Sequence, residues 1–207
     1  MLFRSQLVHM TGFVRTSSAL SDPDFGFTPP NILKLRREVE MFQWHEKIEE
    51  DRRDRAGGSQ EITRTVRYYT NWSSQLVDSG SFEEKGHHNP GRFPLEGYAQ
   101  SGFHMNLERQ IVLSDGVMNA IGGYQDYRPE QRLPGYRPVS GTAYYYNGAD
   151  YDTPQGGDVR IRYSVVPEGV FSLIGRYDNQ ALHSYIHKDQ SLALATPGVV
   201  KIGRAHV

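Results

Sequence analysis

Cysteine is absent from the sequence. This absence excludes a disulfide scaffold, a thiolate metal site and a cysteine nucleophile, while it leaves the redox compartment open. An excess of charge of either sign is also lacking, because 23 lysines and arginines nearly balance 24 aspartates and glutamates, for a formal net charge of -1. A nucleic-acid-binding face and a polybasic membrane patch are therefore not expected.

Long hydrophobic runs are missing as well. Apolar runs extend over only a few residues, as at 111–113, whereas a helix that crosses a bilayer needs roughly 20. With 207 residues the chain is long enough to bury a real core. We expect one compact but lobed domain.

Tyrosine, glycine and proline are plentiful, with 13, 21 and 11 copies, a mixture that favours strands and turns over helices. Alternation of apolar and polar residues predicts strands, whose successive side chains point to opposite faces. The predicted strands are 7–14, 33–41, 62–72, 103–113, 158–166 and 170–177. We expect two antiparallel hairpins, the first from the second and third of these strands and the other from the last two.

One short helix is predicted with clear signals at both ends. Ser114 is a suitable N-cap for a helix over 115–121, and two glycines follow it, as is common after a helix C-terminus. Three prolines in 128–140 exclude a central strand there and indicate an exposed connection or a lobe boundary. The predicted fold class is α+β and β-rich, with antiparallel hairpins, one or a few short helices and possibly two lobes.

The two termini resemble translated adapter DNA. The codons ATC GGA AGA GCA CAC GTC would give residues 202–207, and GTG CTC TTC CGA TCT from the opposite strand would give residues 1–5. We therefore predict adapter-derived segments at 1–5 and 201–207 and a natural segment at 6–200. The adapter-derived segments are left out of the fold prediction. On this hypothesis, missing membrane segments do not argue against a membrane protein. Synonymous codons that break the DNA match would contradict it.

Catalytic and metal-binding motifs are weak. His45-Glu46 begins like a zinc-hydrolase helix, but the second histidine one turn later is absent, and the metal needs both. The histidines at 87, 88, 183 and 187 remain candidates for a metal-dependent hydrolase with nearby carboxylates. A phosphate-binding glycine loop and a nucleophile elbow are both missing from the sequence. We expect no enzymatic activity and no cofactor.

Short motifs distributed over nearly all of 6–200 occur in an order that resembles the extramembrane region of the transmembrane protein 43 (LUMA) family. The most specific of them is Glu-Met-Phe-Gln-Trp at 40–44. The positions that carry the resemblance are Asp22, Pro23, Arg36, Arg37, Glu40, Met41, Gln43, Trp44, Trp72, His87, Asn89, Pro90, Gly157 and Asp158. The family offers no established catalytic residues, so these positions are expected to be structural or to mediate interactions.

The resemblance implies a domain held at a membrane by flanking helices. It implies a scaffolding role for protein complexes, with lamins and emerin as partners in animals, on the lumenal side of the endoplasmic reticulum and nuclear envelope. In a bacterium the domain would face the periplasm or the exterior. We expect protein partners or self-association, and no nucleic acid. The alternatives are the histidine-dependent hydrolase and a lipid- or small-molecule-binding module, which predicts a large apolar cavity.

Overall fold

The computed structural model describes residues 6–54, 60–187 and 190–201. The proposed adapter-derived segments lie outside the described residues, apart from Lys201. The described secondary structure is dominated by strands, with one short α-helix and one 3-10 turn. The predicted β-rich α+β class is thereby confirmed.

The strands are β1 (Gln6–Arg15), β2 (Ile32–Asp54), β3 (Gln60–Ser73), β4 (Tyr98–Ser101), β5 (Asn106–Leu107), β6 (Ile111–Leu113), β7 (Gln125–Tyr127), β8 (Arg137–Pro138), β9 (Tyr144–Tyr146), β10 (Val159–Pro167), β11 (Gly169–Asp178), β12 (Ala181–His183), β13 (Tyr185–His187), β14 (Gln190–Leu192) and β15 (Leu194–Pro197). The helix α1 is Asp115–Ala120, and the 3-10 turn is Ser79–Ser81. Within the described ranges, no helix has the length and hydrophobicity required to cross a bilayer.

The chain divides into two compact units. Unit 1 consists of Met1–Arg37, Tyr98–Arg132 and Tyr163–Val207, and unit 2 consists of Glu38–Gly97 and Leu133–Arg162. The long strands β2 and β10 therefore each contribute residues to both units.

Unit 1 is built on a sheet in the order β1-β5-β6-β12-β11-β15. Its longest pairing joins β1 to β11, antiparallel, from Gln6 opposite Tyr177 to Val14 opposite Gly169. The core holds the buried side chains Val14, Leu33, Met105, Leu107, Leu113, Val117, Ile121, Val166, Phe171, Leu173 and Leu182. These residues come from distant parts of the sequence, so burial of their apolar surface ties the unit together.

The helix α1 begins where the sequence predicts. Ser114 is its N-cap, although the hydroxyl makes no capping hydrogen bond. Val117 on the helix is fully buried. At the other end, the ammonium of Lys34 donates to the carbonyl oxygens of Asn119 and Ile121 at 3.2 and 2.6 Å, which satisfies C-terminal carbonyls that lack a partner within the helix.

The predicted strand over 103–113 is wrong. Two short strands replace it, β5 and β6, which pair with each other in an antiparallel arrangement. The chain reverses through Glu108 and Arg109, whose φ angles of 51° and 61° lie in the left-handed region. Neither residue is of a type that marks such a turn in a sequence, so alternation on both sides resembled one continuous strand.

The predicted hairpin between β10 and β11 is also wrong, because these strands belong to different sheets. Tyr163 of β10 lies opposite Tyr127 of β7, whereas β11 pairs with β1, β12 and β15. Glu168 separates the two strands, and its N–H donates to the carbonyl of Asn31 at 2.8 Å. The backbone groups that would close a tight turn are therefore engaged elsewhere.

Unit 2 contains the predicted hairpin of β2 and β3. The pairing runs from Met41 opposite Ser73 to Asp54 opposite Gln60, so the hairpin prediction is confirmed. However, β2 continues through the charged stretch that follows the predicted strand, to a total of 23 residues. In the same unit, β10 pairs with β9 and β9 pairs with β8.

Candidate interaction surface

The resemblance-carrying residues fall into both units, and their environments differ. Asp22, Pro23, Arg36 and Arg37 lie in unit 1, and the others lie in unit 2. The side chains of Asp22, Gln43 and Asn89 bond to backbone groups, whereas those of Arg37, Glu40 and His87 contact other side chains.

Asp22 and Arg37 form a buried ion pair in unit 1. The guanidinium Nη1 of Arg37 lies 2.7 Å from both carboxylate oxygens of Asp22, and the two side chains are 2% and 0% exposed. The hydroxyl of Tyr163 donates to Asp22 at 2.8 Å. Burial, together with this hydrogen bond, raises the pKa of Tyr163. The arrangement keeps Tyr163 neutral and compensates both buried charges.

The same carboxylate of Asp22 organises a tight turn. Its Oδ1 accepts the N–H groups of Asp24 and Phe25 at 2.9 and 3.1 Å, and Pro23 is an exposed residue of this turn. Arg36 donates to the hydroxyl of Ser164 at 3.1 Å and lies over the ring of Tyr124 at 4.3 Å. Asp22, Arg36 and Arg37 thus make contacts within unit 1, and Pro23 belongs to the turn that Asp22 organises.

In unit 2, Gln43 and Asn89 tie the segment after β3 to strand β2. The buried amide of Gln43 donates to the carbonyl of Gln75 and accepts the N–H of Val77. Asn89 accepts the N–H of Trp44 at 2.8 Å and donates to the Trp44 carbonyl at 2.9 Å. The Asn89 side chain thus takes the place that a neighbouring strand would occupy beside Trp44.

Gly157 and Asp158 approach the backbone of Phe42 in the same way. The N–H of Gly157 donates to the Phe42 carbonyl, and the N–H of Phe42 donates to the Asp158 carbonyl, both at 2.8 Å. Gly157 has a φ angle of 95°, and an added Cβ would stand 3.2 Å from the ring of Pro90. Glycine is therefore suited to this position by conformation and by space.

An aromatic cluster surrounds Arg160 of β10. Its guanidinium lies 4.5 Å from the ring centre of Trp72 and 4.2 Å from that of Tyr144. Nε donates to Glu40 at 2.7 Å, and Nη1 donates to the hydroxyl of Tyr151 at 3.0 Å. The ion pair and two cation–π contacts fix a half-buried charged side chain between aromatic faces.

His87 lies between two aromatic rings of the hairpin. Its ring centre is 4.2 Å from that of Trp44 and 4.4 Å from that of Tyr68. The Tyr68 hydroxyl donates to Glu46 at 2.6 Å, and this hydrogen bond lowers the pKa of Glu46. The position of His87 is explained by ring packing without a metal.

Beyond these contacts, residues 46–54 of β2 and 60–68 of β3 form a two-stranded segment that we call the ribbon. Register and alternation place Ile48 opposite Val66 and Arg52 opposite Ile62 on one face. Ile48 and Ile62 are 41% and 55% exposed. On the opposite face, Lys47 lies opposite Arg67. The ribbon therefore carries Ile48, Ile62 and Val66 beside charged residues on one face, and charged residues and threonines on the other.

The histidine hypothesis gains no metal site. Across the described residues, no group of three or more histidine and acidic side chains is arranged to hold a metal ion. His87 and His88 belong to unit 2, and His183 belongs to unit 1. His187 lies in β13.

A cleft is present in unit 1, with a volume of about 410 Å³. Its lining consists of Thr16, Ser17, Ser18, Ala19, Thr28, Pro29, Pro30, Asn31, Ile32 and Glu168. Hydroxyl groups, prolines and a carboxylate dominate this lining. It therefore lacks the apolar character that a lipid-binding cavity requires.

Sequence reasoning missed the ribbon and the role of Tyr163. The ribbon was hidden because its charged residues resemble a solvated loop, although Ile48, Ile62 and Val66 preserve an alternating signal through it. Tyr163 falls within the predicted strand 158–166, but nothing in a sequence indicates a hydrogen bond to a residue 141 positions away.

Comparison with known proteins provides the family. The family described as Transmembrane protein 43 matches residues 41–204. A Transmembrane protein 43 homolog from Drosophila melanogaster is 32% identical over 206 residues, which cover 95% of this chain and 53% of the relative. Transmembrane protein 43 of Rattus norvegicus and of Homo sapiens are 32% and 31% identical over 161 residues, which cover 77% of this chain and 40% of each relative.

The chain spans about half the length, or less, of these curated relatives. No solved structure matches it significantly. The family match and the identity across nearly the whole chain lead to one conclusion, which agrees with the motifs on β2 and its neighbours. This chain belongs to the transmembrane protein 43 family.

Proposed function

We propose that this chain is a non-catalytic interaction domain of a membrane protein and that it organises protein complexes at the membrane. The observation that carries the proposal is the ribbon, whose paired strands expose two isoleucines among charged side chains. A partner that adds a strand to the edge of such a pair can bury these side chains and bond to the backbone of the edge.

The contacts of the family-motif residues support a non-catalytic role. Asp22 and Arg37 neutralise each other inside unit 1, while Gln43 and Asn89 hold backbone groups in unit 2. A catalytic acid or base must instead reach a substrate with a protonation state suited to its task. The motif residues are used to build the domain, and the ribbon is left available for partners.

Membrane attachment follows, in this proposal, from the family. The relatives are named transmembrane proteins, and each extends well beyond the part matched by this chain. We propose that helices flanking residues 6–200 anchor the domain on the non-cytosolic side of a membrane. That side is the lumen of the endoplasmic reticulum or nuclear envelope in eukaryotic relatives and the periplasm or exterior in a bacterium.

The test is site-specific photocrosslinking of the full-length protein in its own membrane. A benzophenone amino acid replaces Ile62 on the ribbon, and a control protein carries it at Phe103, which is 63% exposed in unit 1. We expect discrete protein adducts from position 62 and few or none from position 103. Equal adduct formation at both positions, or none at position 62, would contradict the proposal.

A further inference from the structure

The outer edge of β3 has no strand neighbour among the residues that the structure describes. Trp44 directs its N–H and carbonyl to Asn89, away from Thr70, its opposite residue in β3. Trp44 and Thr70 are thus a non-hydrogen-bonded pair, and the antiparallel pattern alternates along the strands. The backbone groups of Ile62, Arg64 and Val66 therefore point outward. Among the described strands, β3 ends its sheet, with β2 as its neighbour.

The two edges of the ribbon differ in how well they are protected against the addition of another strand. The β2 edge has the sequence Glu-Lys-Ile-Glu-Glu-Asp-Arg-Arg-Asp over 46–54, and such a density of charge discourages strand addition. The β3 edge reads Ile-Thr-Arg-Thr-Val-Arg-Tyr-Tyr-Thr over 62–70, which is rich in residues that favour strands. At its far end, Trp72 donates its N–H to the side chain of Asn71. The open stretch therefore ends before Trp72.

The β3 sequence is complementary to itself in one antiparallel register. When Arg64 lies opposite Arg64 of a second copy, Glu61 lies opposite Arg67, Ile62 opposite Val66 and Thr63 opposite Thr65. Shifts of the two-fold centre to position 63, 65 or 66 remove the Glu61 and Arg67 match. Opposite charges and apolar pairs directly across a strand pair are stabilising.

The charge at the two-fold centre is already compensated. Arg64 forms an ion pair with Glu83 in its own copy, so two guanidinium groups can approach with reduced repulsion. Arg67 is exposed, and its contact with Glu49 is long, at 3.9 Å. Its guanidinium is thus available to a carboxylate of a second copy.

We propose that β3 pairs with β3 of a second copy in an antiparallel register centred on Arg64. The pairing joins two ribbons into one four-stranded sheet and places Ile62 of each copy beside Val66 of the other. It names the partner of the ribbon and so rests on the proposed function. The contact buries a short strand edge, and membrane tethering would raise the local concentration that such a small interface needs.

The register is tested by single-cysteine variants of the 207-residue chain, which has no native cysteine. In the proposed register, Arg64→Cys places two Cα atoms about 5.5 Å apart, within the range of a disulfide. Thr63→Cys and Thr65→Cys place like positions about 8 Å apart, beyond that range. Ile48→Cys, on β2, is the control for random collision.

After mild oxidation, non-reducing electrophoresis should reveal a disulfide dimer of Arg64→Cys that forms at least about tenfold faster than the dimers of the other three variants. Equal rates for all four variants, or a maximum at Thr63→Cys or Thr65→Cys, would overturn the register. Circular dichroism of each reduced variant checks that the fold is retained.

A charge exchange provides an independent test without cysteine. Arg67→Glu should weaken self-association about tenfold in sedimentation equilibrium, and adding Glu61→Arg should restore it, because the opposite charges are then exchanged across the pair. Arg92→Glu, at an exposed position outside the ribbon, should leave self-association unchanged. Self-pairing is rejected if the chain stays monomeric in these experiments and position 62, in the membrane, crosslinks to a protein of different mass. The proposed interaction role would then still stand.

Discussion

At the scale of single residues, we expect the stability of unit 1 to depend strongly on the buried ion pair of Asp22 and Arg37. Replacement of Arg37 by Met would leave the Asp22 carboxylate buried without its cation. We expect the free energy of unfolding to fall by about 3–5 kcal/mol in urea titrations. The control Arg36→Met removes a half-buried guanidinium and should cost only about 1 kcal/mol. Equal losses in the two variants would contradict this reading of the pair.

Tyr163 should make the stability sensitive to alkaline pH. Its pKa is raised above the ordinary value of 10.0. Its contribution to the free energy of unfolding is therefore complete below pH 10. This contribution is lost as the pH rises above that value, because the tyrosine ionises in the unfolded chain while it stays neutral in the folded one. Between about pH 10 and 11, wild type should lose about 1 kcal/mol more stability than Tyr163→Phe. Parallel pH profiles of the two proteins, measured by chemical unfolding, would argue against this effect.

Asn89 replaces a strand partner, so its removal should loosen a defined segment. Asn89→Ala leaves backbone groups of Trp44 and Val77 without their partner, at a cost of about 1–3 kcal/mol. Hydrogen exchange should accelerate at the Trp44 amide. The neighbouring His88→Ala, which alters an exposed side chain, should leave exchange unchanged. Unaltered exchange at Trp44 in Asn89→Ala would refute the proposed role.

At the scale of elements, β2 should show a gradient of stability along its length. Met41 and Gln43 are fully buried, whereas residues 50–54 are exposed. Backbone hydrogen bonds that are open to water and have few apolar neighbours open at low free energy. We expect hydrogen exchange to be slow around 41–44 and at least about tenfold faster at the interstrand-bonded amides within 49–53. Uniform protection along β2 would contradict the gradient.

The sequence predicts elements better than their partners. Alternation located β1, β2, β3, β10 and β11, because apolar burial on one face leaves a period of two. The pairing of β10 and β11 was wrong, since adjacency in sequence does not determine which sheet each strand enters. The turn at Glu108 and Arg109 was missed because ordinary residues adopt a left-handed conformation there.

The candidate surface was only partly predictable for the same reason. Motif residues such as Trp44, Trp72 and Asn89 were singled out, but their roles depend on long-range contacts, among them the 45-residue separation of Trp44 and Asn89. The ribbon carries alternating isoleucine and valine among charges, and its charge density concealed the strand. Pairing with β2 supplies the register that places Ile48 opposite Val66 on the same face as Ile62.

At the scale of the whole molecule, the family predicts more protein than the chain contains. The uninterrupted gene should encode at least one segment of about 18 or more apolar residues on each side of the region matching 6–200. Sequencing across both junctions tests this, and the codons for 1–5 and 201–207 test the adapter hypothesis in the same experiment. A full-length gene without such segments would overturn membrane anchoring.

The pairing of β1 with β11 also determines when the domain can be completed during synthesis. Val14 meets Gly169, so the ribosome must add 155 residues after the first partner before the second exists. At about 5–20 residues per second, that interval is about 8–30 s. Through that time β1 lacks its longest neighbour, and its apolar side chains need shielding from other nascent chains. Slow translation or a shortage of chaperones should therefore reduce the yield of this domain by aggregation before any change in its folded stability.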